Sequence, residues 1–329
     1  MALETETGTM QAIVQRAYGD AGVLSWQTVR RPVPKADQVL VRVHASSLNF
    51  ADVAMVTGRP SLIRTVSGLR KPKHPVPGKD VAGVVEAVGA DVTDVQVGDE
   101  VCAEAVAGAW AELVVIDADV VARKPVNLSF AQAASVPLAG GTALQALDGV
   151  QPGQTVLVNG ASGGVGTFAV QIAAALGAEV TGVCSGRNVE LVRALGTHHV
   201  IDYGRSDFTS DGRRYDWVLD LVGNRTLTAC RRALTPTGTL VLSFGGGGRV
   251  IGPMGRLVQA VVVNPFVSQR LHPFAARGSR ATLDSLRELV EAGLVTPSVE
   301  RTYPLSDAPD ALRRLQAEHA RGKTVLTVV

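Results

Sequence analysis

Residues 155–203 run TVLVNGASGGVGTFAVQIAAALGAEVTGVCSGRNVELVRALGTHHVIDY. Val156-Leu157-Val158 is a short β-rich run, and the turn Ala161-Ser162-Gly163-Gly164-Val165-Gly166 follows it at once. An apolar helix is expected from Thr167 to Leu176, closing at Gly177, and a second strand, helix and third strand complete the stretch. Strand, glycine turn and helix in this order are the unit that binds a dinucleotide. The glycines let the backbone turn tightly and approach a pyrophosphate with no Cβ in the way. The phosphate then meets backbone N–H groups and the positive end of the helix dipole. Ser162, Gly163, Gly164 and Val165 are therefore expected to touch the cofactor.

The same turn contains Gly160-Ala161-Ser162-Gly163-Gly164, which also fits a G-x-S-x-G nucleophile elbow. A serine hydrolase acting through Ser162 would need an acid and then a histidine downstream, and His272 and His319 stand in that direction. No HGGG-like oxyanion stretch lies upstream, and Gly166 suits close helix–strand packing in a cofactor fold.

The end of the second strand bears on the choice of cofactor. Val183-Cys184-Ser185-Gly186-Arg187 carries no acidic residue where an NAD site places one for the ribose 2′-hydroxyl. Ser185 can donate a hydrogen bond and Arg187 a bidentate charged pair, which suits a 2′-phosphate. Tyr203, at the end of the third strand, could cover the same pocket. Arg187 is also open to reading as a solvated charge at a helix start. NADPH is the expected cofactor. Val222 and Phe244, at the ends of the next two strands, are expected to line its path.

Composition narrows the function classes. The 329 residues suggest two domains, and 46% hydrophobic content with 4% aromatics gives cores of Val, Ala and Leu. A formal net charge of +2 argues against nucleic-acid or membrane partners, and no apolar run reaches the roughly 18 residues of a spanning helix. The start, MALETETGTM, is acidic and polar, unlike a signal or transit peptide. Cys102, Cys184 and Cys230 are widely spaced and form neither a disulfide framework nor a metal pattern. A reducing cytoplasm is expected.

Up to about residue 125 the texture is different. Short β-rich runs such as Val39–Val43, Val81–Val88 and Ala111–Ile116 are punctuated by Gly, Pro and Asp, which indicates a compact β-rich domain. A helix is expected from Ser129 to Val136, with Ser129 as N-cap, and another from Thr282 to Ala292 before short strands to Val329.

Further motifs carry a resemblance across nearly the whole chain: GKDVAGVVEAVG at 78–89, VGDEV at 97–101, SVPLAGGTALQAL at 135–147, NGASGGVG at 159–166 and HARGKTVLTV at 319–328. Together they resemble the medium-chain dehydrogenase/reductase superfamily, in its zinc-free, zeta-crystallin-like quinone oxidoreductase branch. The resemblance implies an α/β fold with a GroES-like β-rich catalytic domain and a Rossmann doubly wound parallel-sheet cofactor domain. The catalytic domain is expected over 1–127, completed by 271–329, and the NADPH-binding domain over 128–270. It also implies an active-site cleft between them, and a homodimer or homotetramer pairing through the cofactor domain.

No metal is expected. The alcohol dehydrogenases of the superfamily carry a zinc-ligating Cys where this chain has Asn49-Phe50-Ala51-Asp52, and a His-Glu pair where it has Lys79-Asp80. Zinc needs about three or four Cys, His or carboxylate ligands, and Lys is a poor neighbour for a dication. Without zinc, another group must stabilise the oxyanion that develops as hydride arrives. By resemblance to the N-x-x-D motif, Asn49 is the expected donor beside the nicotinamide and Asp52 its mainly structural partner. Asn49 could instead simply close a turn. Thr142 is implied near the nicotinamide ribose, and Gly245 with the glycines after it near the nicotinamide.

Two segments depart from the pattern: an insertion from Ser61 to Pro75 and an apolar stretch from Val250 to Pro273. Both are expected to wall an apolar substrate pocket, although the later one also reads as a core or subunit-facing helix. The expected function is hydride transfer from NADPH to quinones. Alternatives are an enone or 2-alkenal double-bond reductase, a non-catalytic NADPH-binding regulatory protein and, least favoured, the Ser162 hydrolase.

Overall fold

The computed structural model describes residues 8–243, 254–318 and 320–328. The run at Val156 becomes the strand Thr155–Asn159, and side-chain alternation sends its residues to opposite faces. Val156 and Val158 pack with Phe168, Ala169 and Ile172 of the helix Gly164–Ala175, whereas Leu157 packs with Val218, Leu234 and Leu240. A strand covered on both faces belongs inside a parallel sheet, and this one does. Six parallel strands run in the spatial order His199–Asp202, Glu179–Cys184, Thr155–Asn159, Tyr215–Asp220, Leu234–Leu242, Arg270–Pro273.

Numbered along the chain, that order is 3-2-1-4-5-6, the doubly wound arrangement. The order of connection reverses at Thr155–Asn159, so the glycine turn opens at the switch point, where such sheets leave a crevice for a ligand.

The second large sheet has seven strands. Val299–Pro304, Lys323–Thr327, Gln38–Leu48, Asp80–Val88, Glu100–Glu104 and Val121–Arg123 follow one another, and Leu113–Asp117 also pairs with Gln38–Leu48. Thr324 lies opposite Leu48, so the end of the chain is built into the sheet formed by its beginning. Thr9–Gln15 and Leu24–Arg30 form a separate antiparallel pair.

Several elements differ from expectation. Ser129 does cap a helix, accepting the Gln132 N–H, but Phe130–Ala133 is a single turn and a new helix, Pro137–Ala146, starts at the proline. The final segment holds a helix, Ala308–Ala317, as well as strands; it buries Ala308, Ala311, Leu312 and Leu315 on one face. Phe50–Thr57 is an eight-residue helix that follows the strand Gln38–Leu48 with only Asn49 between. The Ser61–Pro75 insertion contains short helical turns at Ser61–Ile63 and Arg64–Ser67. Tyr18 fastens them: its hydroxyl donates to Gly68 O at 2.6 Å, and Arg64 lies 4.7 Å over its ring.

Candidate active site

Asn49 stands at the N-terminus of the helix Phe50–Thr57, and Asp52 sits one turn in, accepting the Asn49 backbone N–H at 2.8 Å. Both side chains are buried. The strand Asp80–Val88 brings Asp80 beside them, fully buried, and the C-terminal strand brings Lys323, also buried. Asp80 Oδ2 accepts from Ser47 Oγ at 2.6 Å, Asn49 Nδ2 at 2.9 Å and Lys323 Nζ at 3.2 Å. Its Oδ1 accepts the Leu138 N–H at 2.8 Å, at the start of the helix that carries Thr142. Lys323 Nζ donates also to Asn49 Oδ1 at 2.5 Å and Leu48 O at 3.3 Å. The second Asn49 amide hydrogen goes to Asp52 Oδ2 at a long 3.3 Å.

Two carboxyls and one ammonium thus share a buried site. Burial, reinforced by the negative charge of Asp80, pushes Asp52 up to about 7, against the pull of the Asn49 N–H, Lys323 and Lys79. A carboxyl so placed holds a proton near neutrality. Lys79 points elsewhere, onto Glu104 Oε1 at 2.6 Å; burial pulls its ammonium down, but the charge and hydrogen bond of Glu104 together with the charges of Asp52 and Asp80 outweigh this, and the net displacement is upward.

The glycine turn lies against this cluster. Gly163 forms a parallel bridge with Gly322, and the Gly322 N–H donates to Ser162 O at 2.8 Å. The Lys323 Cδ lies 3.0 Å from where a Cβ on Gly164 would stand. The helix Gly164–Ala175 has Gly163 as N-cap and no side chain capping it, so its first-turn N–H groups have no intrahelical acceptor. A Cβ on Gly166 would fall 2.1 Å from Gly160 O, which leaves only glycine at that point of closest approach. Val222 covers the turn from the side, with its Cγ2 2.9 Å from a Cβ on Gly160.

At the other end of the turn, Asn188 Nδ2 donates to Ser162 Oγ at 3.0 Å. The Ser185 hydroxyl and Asn188 Oδ1 are buried without a hydrogen-bond partner among the described residues. Unsatisfied buried polar atoms call for an explanation, and a ligand hydroxyl or phosphate supplies one. Arg187 lines a neighbouring cavity of about 150 Å³ with Asn188, Glu300, Arg314, Glu318 and Arg321. Asp202 is an unforeseen neighbour; its carboxylate lies 2.8 Å from a Cβ on Gly186 and is partnered by Gly204 N and Arg205. Tyr203 follows it, half exposed. The open glycine turn and the unpartnered polar atoms beside it fit a dinucleotide. The Thr142 hydroxyl donates to Leu138 O at 2.6 Å and keeps its acceptor lone pairs.

Phe244 and Gly245, with the glycine run that follows, lie outside the described residues, as does His319. His272 is on the outermost strand of the parallel sheet, tilted against Phe274, and the partner of Ser162 Oγ is the Asn188 amide, which is no base. Leu62, Val66 and Leu69 of the insertion, and Val258, Val261, Val262 and Phe266 of the later segment, are exposed. Among the described residues no cluster of three or more His, Cys, Asp or Glu could hold a metal, and no helix is long and apolar enough to cross a membrane.

Asp80 and Lys323 are the members of the cluster that sequence reasoning missed. The signals were a lysine opening the apolar run KTVLTVV and an aspartate opening DVAGVV.

Comparison with known proteins gives concordant matches. Residues 35–126 match the Alcohol dehydrogenase GroES-like domain, and residues 195–326 match the family described as Zinc-binding dehydrogenase. The chain is 37% identical to the mitochondrial NAD(P)H oxidoreductase RTN4IP1 of Mus musculus, over 97% of this chain and 89% of that protein. The quinone oxidoreductase of Coxiella burnetii superposes with a TM-score of 0.86 at 30% identity, covering 98% of this chain and all of that one. The Escherichia coli quinone oxidoreductase, solved in complex with NADPH, superposes with a TM-score of 0.82 at 26% identity, covering 98% and 100%.

Proposed function

The chain belongs to the medium-chain dehydrogenase/reductase superfamily, in its quinone oxidoreductase branch, and from that premise we propose that it transfers hydride from NADPH to quinones and related conjugated carbonyl compounds, without zinc. The observation that carries this reading is the junction at Lys323, where the glycine turn and Asn49 meet through one side chain. The positive charge between Asn49 and Asp80 is an ammonium, at the place where the zinc enzymes of the superfamily keep metal ligands.

In this reading residues 128–273 bind the nucleotide, rather than the expected 128–270, and residues 1–127 with 274–329 form the catalytic part. The strand Arg270–Pro273 pairs in the parallel sheet, so we set the crossing back after Pro273. Ser162, Gly163, Gly164 and Val165 cradle the pyrophosphate, Ser185, Arg187 and Tyr203 surround the 2′-phosphate, and Thr142 and Val222 line the nicotinamide end. The bound nicotinamide supplies the hydride chemistry. Asn49 offers its amide to the carbonyl oxygen that gains charge, by exchanging its weakest bond, the 3.3 Å contact to Asp52, for the acceptor. Asp52 keeps a proton near neutrality, which weakens it as a competing acceptor for that N–H. α,β-Unsaturated ketones and aldehydes form the second acceptor class.

Three buried free cysteines support a reducing compartment, and we place the protein in the cytoplasm. The exposed Val258, Val261, Val262 and Phe266 support pairing into a homodimer.

The test is oxidation of NADPH, against NADH, with a panel of quinones, enones and simple aldehydes. Turnover with NADPH and a quinone is expected. Binding of NADPH with no turnover on any acceptor would replace this reading by a regulatory one.

A further inference from the structure

Lys323 is among the largest fully buried side chains of the protein, and a buried ammonium is costly unless every hydrogen finds an acceptor. Here all three do: Asn49 Oδ1, Asp80 Oδ2 and Leu48 O. The pattern also removes an ambiguity. An asparagine amide has two chemically opposite ends, and Lys323 can only donate while ionised Asp80 can only accept. Reversing the Asn49 amide would set NH₂ against the ammonium and oxygen against the carboxylate of Asp80. One orientation is left.

The same lysine is fixed relative to the cofactor turn. Its backbone N–H donates to Ser298 O at 2.8 Å, and the preceding Gly322 donates to Ser162 O at 2.8 Å. Gly322 has φ +92°, and a Cβ there would stand 2.3 Å from Ser298 O, so the approach is built for glycine alone. The aliphatic stem then passes Gly164 on its way to Asn49.

We propose that Lys323 is a positioning residue: it sets which way the Asn49 amide faces and holds that amide in a fixed relation to the Ser162–Gly164 turn. The idea rests on the oxidoreductase reading for its kinetic consequence but not for its structural one. Lys323 needs no contact with substrate; it acts through Asn49.

The experiment is a double-mutant cycle between Lys323→Met and Asn49→Ala in NADPH-dependent turnover. Lys323→Met should lower kcat at least about tenfold with the KM for NADPH changed less than about threefold. In the Asn49→Ala background it should cost little more, because the group it positions is gone. Lys323→Arg, which keeps the charge and donors, should restore a measurable part of the loss. Since Lys323→Met leaves Asp80 buried and uncompensated, the charge-balanced Lys323→Met/Asp80→Asn double variant is the control for folding. It should melt near the parent and still turn over slowly.

A loss that multiplies equally in both Asn49 backgrounds would overturn the proposal, as would parental kcat in the charge-balanced variant. A parent with no turnover on any acceptor would defeat the oxidoreductase reading instead. Lys323 is then tested by the side-chain amide NMR resonances of Asn49, assigned by their disappearance in Asn49→Ala. They should move in Lys323→Met and return towards their place in Lys323→Arg; resonances that stay put in Lys323→Met refute the role.

Discussion

Replacing Asp52 by Asn should remove a definite part of the pH dependence of stability. Asp52 is buried at 1% exposure, and its pKa stands at about 7 against 3.8 for a free carboxyl, through burial first and the neighbouring Asp80 charge second. Because the folded pKa is the higher one, the folded protein binds more protons than the unfolded chain between those limits. Asp52 therefore favours the fold fully below about pH 4, and that contribution is lost as pH rises to about 7. At about 1.4 kcal/mol per pH unit the whole window amounts to about 4 kcal/mol. The groups facing Asp52 are Asp80, Lys323 and Lys79, and all remain in the variant. Urea unfolding of both proteins at half-unit pH steps gives the difference directly. The parent should gain on Asp52→Asn by about 3 kcal/mol between pH 8 and pH 5, with the change flattening above about 7. Parallel stability curves would refute the reasoning, since they would mean that Asp52 ionises in the fold as it does in water.

Arg187→Gln should raise the KM for NADPH by about tenfold and leave that for NADH nearly unchanged, because one charge-assisted pair to the 2′-phosphate is lost; equal effects on both nucleotides would remove Arg187 from the phosphate pocket. Ser162→Ala should keep turnover, with binding of NADPH weakened by less than about tenfold, the worth of one neutral hydrogen bond; abolished activity on an ester substrate would reinstate the hydrolase. Arg256→Met should destabilise the protein by about 3 kcal/mol in denaturant titrations. Arg256 meets the fully buried Asp220 at 2.6 Å, and the carboxylate would be left charged at the end of a central strand. No change in midpoint would mean that the N–H groups of Val222 and Gly223 and the Asn159 amide already satisfy Asp220.

The cofactor fold was legible because its signals are local. The β-rich run, the glycines and the apolar helix lie within one stretch, and each demand is met by neighbours in sequence. The helix Phe50–Thr57 was harder to place, since FADVAMVT has two β-branched valines and no polar face to mark a period. Ala308–Ala317 carries a clear amphipathic pattern, with Ala308, Ala311, Leu312 and Leu315 on the buried face, but it is a short helix set between two strands. The buried cluster could not be read in the same way. Lys323 and Asn49 are 274 positions apart, and Lys323 and Asp80 are 243 apart. A lysine at the mouth of an apolar strand reads as a solvated end, because lysine is rarely buried. Only the pairing of the last strand with Gln38–Leu48 turns it inward.

That pairing explains why the buried cluster needs both ends of the chain. The strand Gln38–Leu48 and the residue after it supply Ser47 and Asn49, the strand Asp80–Val88 supplies Asp80, and the final strand supplies the cation that lets these groups be buried together. A divalent metal would bring two charges to such a site and hold carboxylates ionised. A single ammonium brings one, so of the two carboxyls one can be matched by Lys323 and the other keeps its proton near neutrality. Asp80, at 3.2 Å from the ammonium and with four donors, is the matched one; Asp52, one bond further out beyond Asn49, is the other. The site thus trades a metal's charge for a retained proton, and the group between the two carboxyls is the Asn49 amide assigned to the substrate oxygen.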